Sequence, residues 1–459
     1  MQTESRPRHA RQRRARRRTT WARLVFLSAL VASSARAEEP GVVPDAGPVA
    51  MRRPVALGTA GDLTAAMAGD STFATRLYAR MPKDENVFFS PASVRIALAM
   101  TYAGARGGTA REMADVLALG PDAAQTHRGF ARALADFADA DSSDAPANAS
   151  PAEKANAEKR RQTLRVVNRL WGQKGHTFDQ SFAALVAADY AAPLVGLDFA
   201  GATDESRRTI NAFIAAQTEE RIQDLIPAGA LDPRTRLVLT NAVYFKGTWR
   251  GAFAPGATQN APFFVSPSRT VQAPLMTQTS HFRYGSVGDA QVLELPYDSD
   301  RLAMVVVLPK TRGGLPALER AMNQGAIRSW TASLGTATVH VTLPRFTMKT
   351  HFSLRGALAA MGMPSAFDAH AADFSGMDGT KSLVIGDVLH EAFVAVDEKG
   401  TEAAAASAVD MTLECDYVVT LPPPIEFRAD HPFLFFVKEK ETGSVLFMGR
   451  VTEPTGNGG

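Results

Sequence analysis

The 459-residue chain has a single cysteine, Cys415, so it can form no internal disulfide and offers no cysteine pair to a metal. Stability must come from packing, and 45% hydrophobic residues are enough to build a sizeable core. Catalytic signatures are missing as well. There is no G-x-S-x-G elbow, no P-loop and no dinucleotide glycine pattern. His390-Glu391 lacks the following histidine that a zinc protease needs, and the nine histidines are scattered. An enzyme reading therefore has almost no support, and neither a metal nor a cofactor is called for. No apolar run reaches the roughly 20 residues that span a bilayer.

An excess of basic charge over the body of the chain is also lacking, although the formal net charge is +3. Residues 1–37 hold ten arginines and one acid, Glu4, so everything after them carries −6. This excludes a basic fold built for nucleic acid. The leader itself has the parts of an export signal. A basic stretch ends near Arg18, the apolar run Leu24–Ala32 follows, and Ala35-Arg36-Ala37 offers a cleavage site. It predicts a secreted or periplasmic protein, against the alternative of a basic tail on a cytosolic one. Residues 38–61 are rich in Pro, Ala and Gly and read as a flexible lead-in.

No linker divides residues 62–456, which read as one domain of α+β class. Residues 62–80 have helical spacing, with Leu63, Met67, Phe73 and Leu77 as apolar points. Ser90-Pro91 is an N-cap followed by proline in the first turn. Helices are also predicted around Thr126–Phe137, Arg207–Asp224 and Leu354–Met361. Leu164–Trp171, Leu237–Phe245, Ala303–Leu308 and Thr338–Leu343 read as strands, and Leu383–Val396 as extended chain. Phe433–Val437 and Val445–Val451 form a hairpin through Lys440–Gly443. Residues 139–162 are a polar inserted loop whose second half carries Lys154, Lys159, Arg160 and Arg161. Such a run is usually a solvated face; the sharper alternative is a polyanion site.

The most informative stretch is Glu398-Lys399-Gly400-Thr401-Glu402-Ala403-Ala404-Ala405-Ala406-Ser407. Gly400 is a natural hinge ahead of the four alanines, and Pro422–Pro424 a stiff stop after them. At a period of two, Thr401, Ala403, Ala405, Ser407, Val409 and Met411 share one face. Glu402, Ala404, Ala406, Ala408 and Asp410 share the other, with every charge. This is a loop that can also serve as a half-buried strand.

Glu398–Ser407 resembles the proximal hinge of the reactive-centre loop of serpins, the serine protease inhibitor family. Asn86–Ser93 resembles the family's entry to helix B, Thr240–Trp249 a central strand and its breach, and Ala429–Phe436 with Val445–Val451 its C-terminal hairpin. The resemblance runs over about 390 residues, from near Asp62 to Thr455. It implies a large central mixed β-sheet, further sheets, about nine helices and an exposed loop over residues 398–424. It also implies a monomeric, exported, bacterial-type member that inhibits a serine or cysteine protease as a suicide substrate through a covalent complex. A non-inhibitory binding module or chaperone is the alternative.

The resemblance assigns Ser90, Ser93, Asn241 and His390 to a shutter beneath the sheet, and Trp249 and Glu398 to the breach. Asn241 independently needs a partner, because it sits inside an apolar run, and His390 is a candidate. Insertion of the loop would add roughly ten ladder hydrogen bonds, on the order of 10 kcal/mol in all. Counting from Glu398 by the family's spacing puts the reactive bond at Glu414-Cys415. Counting back from His431-Pro432-Phe433 puts it nearer Val418, about four residues on. The hinge count is preferred, because a fixed length must insert. Met411, Leu413 and Tyr417 remain alternatives. Cys415 reads as a small side chain, with redox control of the bond as the sharper idea.

Overall fold

The computed structural model describes residues 58–140, 150, 163–298, 301–401 and 422–455. The export leader, most of the 139–162 insertion, hinge residues Glu402–Ser407 and the proposed bond Glu414-Cys415 lie outside them. Fifteen strands are described. They are β1 (Val87–Phe89), β2 (Thr163–Gln173), β3 (Val195–Leu197), β4 (Leu237–Thr248) and β5 (Gln259–Ser266). Then come β6 (Arg269–Val287), β7 (Ala290–Pro296), β8 (Leu302–Pro309), β9 (Gly335–Pro344) and β10 (Phe346–Ser353). Last are β11 (Leu389–Asp397), β12 (Gly400–Thr401), β13 (Ile425–Arg428), β14 (Phe433–Glu439) and β15 (Val445–Val451). Eleven α-helical segments accompany them among the described residues, against the nine or so expected.

Two mixed sheets form. One has six strands in the order β10-β11-β12-β4-β2-β3. The other has nine, ordered β1-β15-β14-β8-β7-β6-β9-β13, with β5 on β6. The hairpin β14–β15 sits inside the larger sheet, and its strands are buried along their whole length. That is why they read as unbroken apolar runs rather than alternating ones.

The six-stranded sheet is buried on both faces. Leu239, Val243 and Phe245 of β4 join the main core, together with Ala392, Val394 and Val396 of β11. Ala242 of β4 and Val167 and Trp171 of β2 turn the other way. They pack with Phe199, Ile210, Phe213 and Ile214 of a separate cluster around the helix Thr203–Gln217. The period of two thus feeds two cores from one strand.

Three expectations need correction. Residues 62–80 are two helices, Ala60–Met67 and Asp70–Tyr78, broken at Gly69. The buried Arg95 guanidinium approaches there, pairing with the Asp70 carboxylate at 2.5 Å and donating to the Ala118 carbonyl at 2.8 Å. The lead-in ends earlier than composition suggests, because Thr59 and Asp62 close a capping box at the start of the first helix. The helix read over Arg207–Asp224 stops at Gln217. There the Thr218 hydroxyl donates to the Ile214 carbonyl, and Glu219 and Glu220 turn to positive φ. Only Leu389–Asp397 of the extended run is a strand; Leu383–Val388 has no ladder partners. No helix among the described residues is long and apolar enough to cross a membrane.

A Cβ on Gly69 would stand 2.1 Å from the Ala118 carbonyl oxygen and 2.5 Å from Arg95 Nη2. Gly69→Ala is therefore expected to cost about 1–3 kcal/mol in urea unfolding. Gly61→Ala meets only Thr59 Oγ1 at 3.6 Å, and this control should be neutral or slightly stabilising.

Candidate functional site: the opening in the six-stranded sheet

Strands β4 and β11 are parallel neighbours over a short stretch, pairing Thr240–Tyr244 with Leu389–Phe393. Above it they part, and β12 enters between them. Thr401 pairs with Gly247 on one side and Val396 on the other, antiparallel to both. The hinge residue Gly400 and Thr401, the first residue of the predicted loop strand, are therefore already in the sheet. This corrects the reading of 398–424 as loop from its first residue.

The entry is held atom by atom. The Asp397 carboxylate accepts from the Lys399 and Gly400 N–H groups at 2.8 and 3.2 Å, closing a tight turn. Gly400 has φ +151°, and a Cβ there would lie 2.0 Å from the Gly247 carbonyl oxygen, so only glycine fits. Trp249 donates from its ring to the Asp397 carbonyl at 3.0 Å and from its backbone to the Lys399 carbonyl at 2.8 Å. The Phe253 N–H donates to the Glu398 carbonyl at 2.7 Å. The Glu398 carboxylate accepts from the Thr258 hydroxyl at 2.6 Å and faces Arg345 at 3.5 Å. Thr401 is fully buried, and its hydroxyl meets the Tyr297 hydroxyl at 2.8 Å. Tyr297 stacks on Trp249 at 4.7 Å between ring centres, and burial raises its phenol pKa well above the ordinary value.

Where the strands are closed, the four residues assigned to the shutter meet. The Ser90 N–H donates to His390 Nε2 at 3.0 Å, so that nitrogen carries a lone pair. The imidazole proton then sits on Nδ1 and is donated to Asn241 Oδ1 at 2.5 Å. The Asn241 amide donates to Ser93 Oγ and to Asn168 Oδ1. Ser90 Oγ donates to the Leu446 carbonyl at 2.6 Å and accepts from the Ser93 N–H at 3.1 Å. Both ring nitrogens of a fully buried histidine are thus used. Burial, with a smaller push from His351, depresses its pKa to about 3.

Sequence reasoning missed Asn168, Asp397 and Tyr297. Asn168 carried the same signal as Asn241, an amide inside an apolar strand. Asp397 was legible as the start of an Asp-x-x-Gly turn. Tyr297 comes from a strand end distant in sequence, and nothing local marks it.

A family model described as "Serpin (serine protease inhibitor)" matches residues 68–454. The chain belongs to the serpin family. A serpin-like protein of Thermococcus kodakarensis is 39% identical to it over 385 residues, 84% of each chain. The leukocyte elastase inhibitor of Bos taurus is 37% identical over 398 residues, 84% of this chain and 99% of its own. Among solved structures, uncleaved ovalbumin is similar at 29% identity and TM-score 0.71, over 85% of this chain and all of its own. Cleaved serpin 42Da is similar at 30% identity and TM-score 0.72, over 85% of this chain and 98% of its own.

The buried imidazole makes the stability of this serpin pH-dependent. Unfolded, His390 takes a proton near pH 6.5; folded, it resists until about pH 3. The unfolded state thus binds more protons in between, and stability falls as pH drops through that window, by a few kcal/mol in all. His127, buried against Tyr190 and depressed to about 4, acts in the same sense. Denaturant titrations from pH 7.5 to 4 should show the loss. His390→Leu should weaken the protein at pH 7 by about 2 kcal/mol, through the orphaned Ser90 N–H and Asn241 Oδ1, and flatten the slope. An unchanged slope would contradict the assignment.

Proposed function

We propose that this serpin inhibits a serine or cysteine endopeptidase as a suicide substrate. For a serine protease, Oγ attacks the carbonyl carbon of the reactive residue. The peptide bond breaks, the leaving amine takes the proton, and an acyl-enzyme remains on the loop. The freed loop then enters the six-stranded sheet as a new strand, a mode of strand addition typified by serpins.

The observation that carries this reading is β12. Its pairing fixes a register in which each step down β4 from Gly247 is a step along the loop from Thr401. Its pairing with β11 fixes the same register independently. The two agree throughout the closed stretch. Asn241 and His390, partners across it, both come opposite Ser407. Ala403 and Ala405 precede it on the buried face, opposite Phe245 and Val243, where nothing large or charged could enter. Parting β4 from β11 would orphan His390 Nδ1–H and Asn241 Oδ1. A serine hydroxyl, both donor and acceptor, supplies what they lose.

The reactive bond remains proposed at Glu414-Cys415, which suits a protease selective for acidic residues. Similarity to a leukocyte elastase inhibitor makes Met411, Leu413 or Tyr417, with an elastase-like or chymotrypsin-like target, the second candidate. Export rests on the leader, and N-terminal sequencing of the mature protein should begin at Glu38.

Incubation with glutamyl endopeptidase, neutrophil elastase and chymotrypsin should give a complex with at least one that survives boiling in SDS. The peptide released from it should begin at Cys415 by mass spectrometry. Thr401→Arg should still be cut but trap nothing, because the guanidinium cannot take the buried place that Thr401 fills beside Tyr297 and so keeps the hinge out of the sheet. Clean cleavage of the wild type without trapping across a broad panel would support a non-inhibitory binding role.

A further inference from the structure

A cleft of about 350 Å³, open to solvent, is lined by the start of β4 and by the chain that runs into β11. Leu239, Phe374, Met377 and Leu383 form its floor and are buried. Ala230, Gly386 and Asp387 stand at its mouth and are exposed. Apolar depth under a polar rim is how small-molecule sites are commonly built, and this volume lies at the small end of their range. Thr101 also lines the cleft, but its hydroxyl donates to the Leu98 carbonyl at 2.8 Å, so it asks nothing polar of a ligand. The wall over residues 383–388 has no ladder partners. It is tied by the Ile385 N–H to the Ala366 carbonyl at 3.0 Å and by the Val388 carbonyl to the Leu354 N–H at 3.0 Å. A wall without a ladder yields more readily than a strand, and the flexible Met377 beneath it adapts to irregular shapes.

We propose that this cleft binds a small amphiphilic amine, with its hydrocarbon part on the buried floor and its ammonium on the Asp387 carboxylate. Among the described residues that line the cleft, Asp387 alone carries a charge. Its Oδ1 accepts from the Val388 N–H at 2.7 Å, the Ser353 hydroxyl at 2.9 Å and the Arg355 N–H at 3.4 Å. These bonds fix the carboxylate at the rim and leave Oδ2 for a ligand. The Arg355 guanidinium is spent on the Gly386 and Phe367 carbonyls, at 2.7 and 2.9 Å, and is not part of the lining. An anionic amphiphile would therefore bring a second negative charge to the rim, and a neutral one would leave the carboxylate unmatched. The site needs neither a cut loop nor a protease, so it stands apart from the inhibitory reading above.

The experiment uses the intact full chain with labelled Ile, Leu and Val methyl groups, titrated by NMR with octylamine, octanol and octanoate. Octylamine should saturate at one per chain and move the methyl signals of Ile226, Leu383 and Leu389, which line the cleft. Octanol has the same tail without the charge and should bind about tenfold more weakly, while octanoate should not saturate. Asp387→Asn keeps an oxygen for Val388 and Ser353, and should bring octylamine down to the level of octanol. Val384 lines the cleft and is half-buried, so Val384→Trp should fill space there and weaken octylamine and octanol alike. Binding of octylamine and octanol with equal affinity, preference for octanoate, or an Asp387→Asn variant that holds octylamine as the wild type does would overturn the amine assignment. If no probe moves these three methyl groups, or saturable binding moves only others, the cleft is no site. None of these results bears on whether the protein traps a protease, which the SDS-stable complex decides separately.

Discussion

Everything in this structure turns on a short parallel contact, five residues of β4 against five of β11, latched by one buried neutral imidazole. His390 spends both ring nitrogens on it, one taken by the Ser90 backbone and one given to Asn241. Asn241 passes the connection on to Ser93 and Asn168. The latch thus ties the sheet to the helix Pro91–Tyr102 beneath it and to β2 beside it. No charge is involved, because burial keeps the ring neutral. What it costs to open is the desolvation of a few paired polar groups. Such a contact can be firm until something of matching shape and polarity replaces it.

At both ends of that contact the direct pairing of β4 with β11 stops. Above, Gly400 and Thr401 are seated between the two edges, held by Trp249, Asp397 and Tyr297. Gly400 passes the Gly247 carbonyl at a distance that no side chain would allow. Below, the edges diverge around an apolar cavity.

Much of this was legible in the chain. A period of two over residues 401–411 separates charge from apolar groups without any structure in view. Asn241 betrays itself as an amide in an apolar run, and Ser90-Pro91 as a helix start. What local reasoning could not supply came from distant chain segments. Gly69 looks like an ordinary helix residue until Arg95, 26 positions on, is placed beside it. Tyr297 acquires its role only because the end of β7 meets Trp249 across an isolated bridge. Leu383–Val388 reads as extended chain, but nothing local says that Leu383, Val384 and Ile385 line a cavity or that the segment lacks a ladder partner. The hinge read as loop to its first residue, since nothing in Gly400-Thr401 itself says that the sheet has taken them in.

The central claim is that one register, set by two residues, governs the whole strand. A crystal structure of the protein nicked after Leu413 or Glu414 tests it directly. Residues 401–411 should lie antiparallel between β4 and β11, with the Ser407 hydroxyl between Asn241 and His390 and the direct pairing of Thr240–Tyr244 with Leu389–Phe393 gone. A nicked structure in which β4 and β11 remain paired, or in which another residue stands opposite Asn241, would contradict the account.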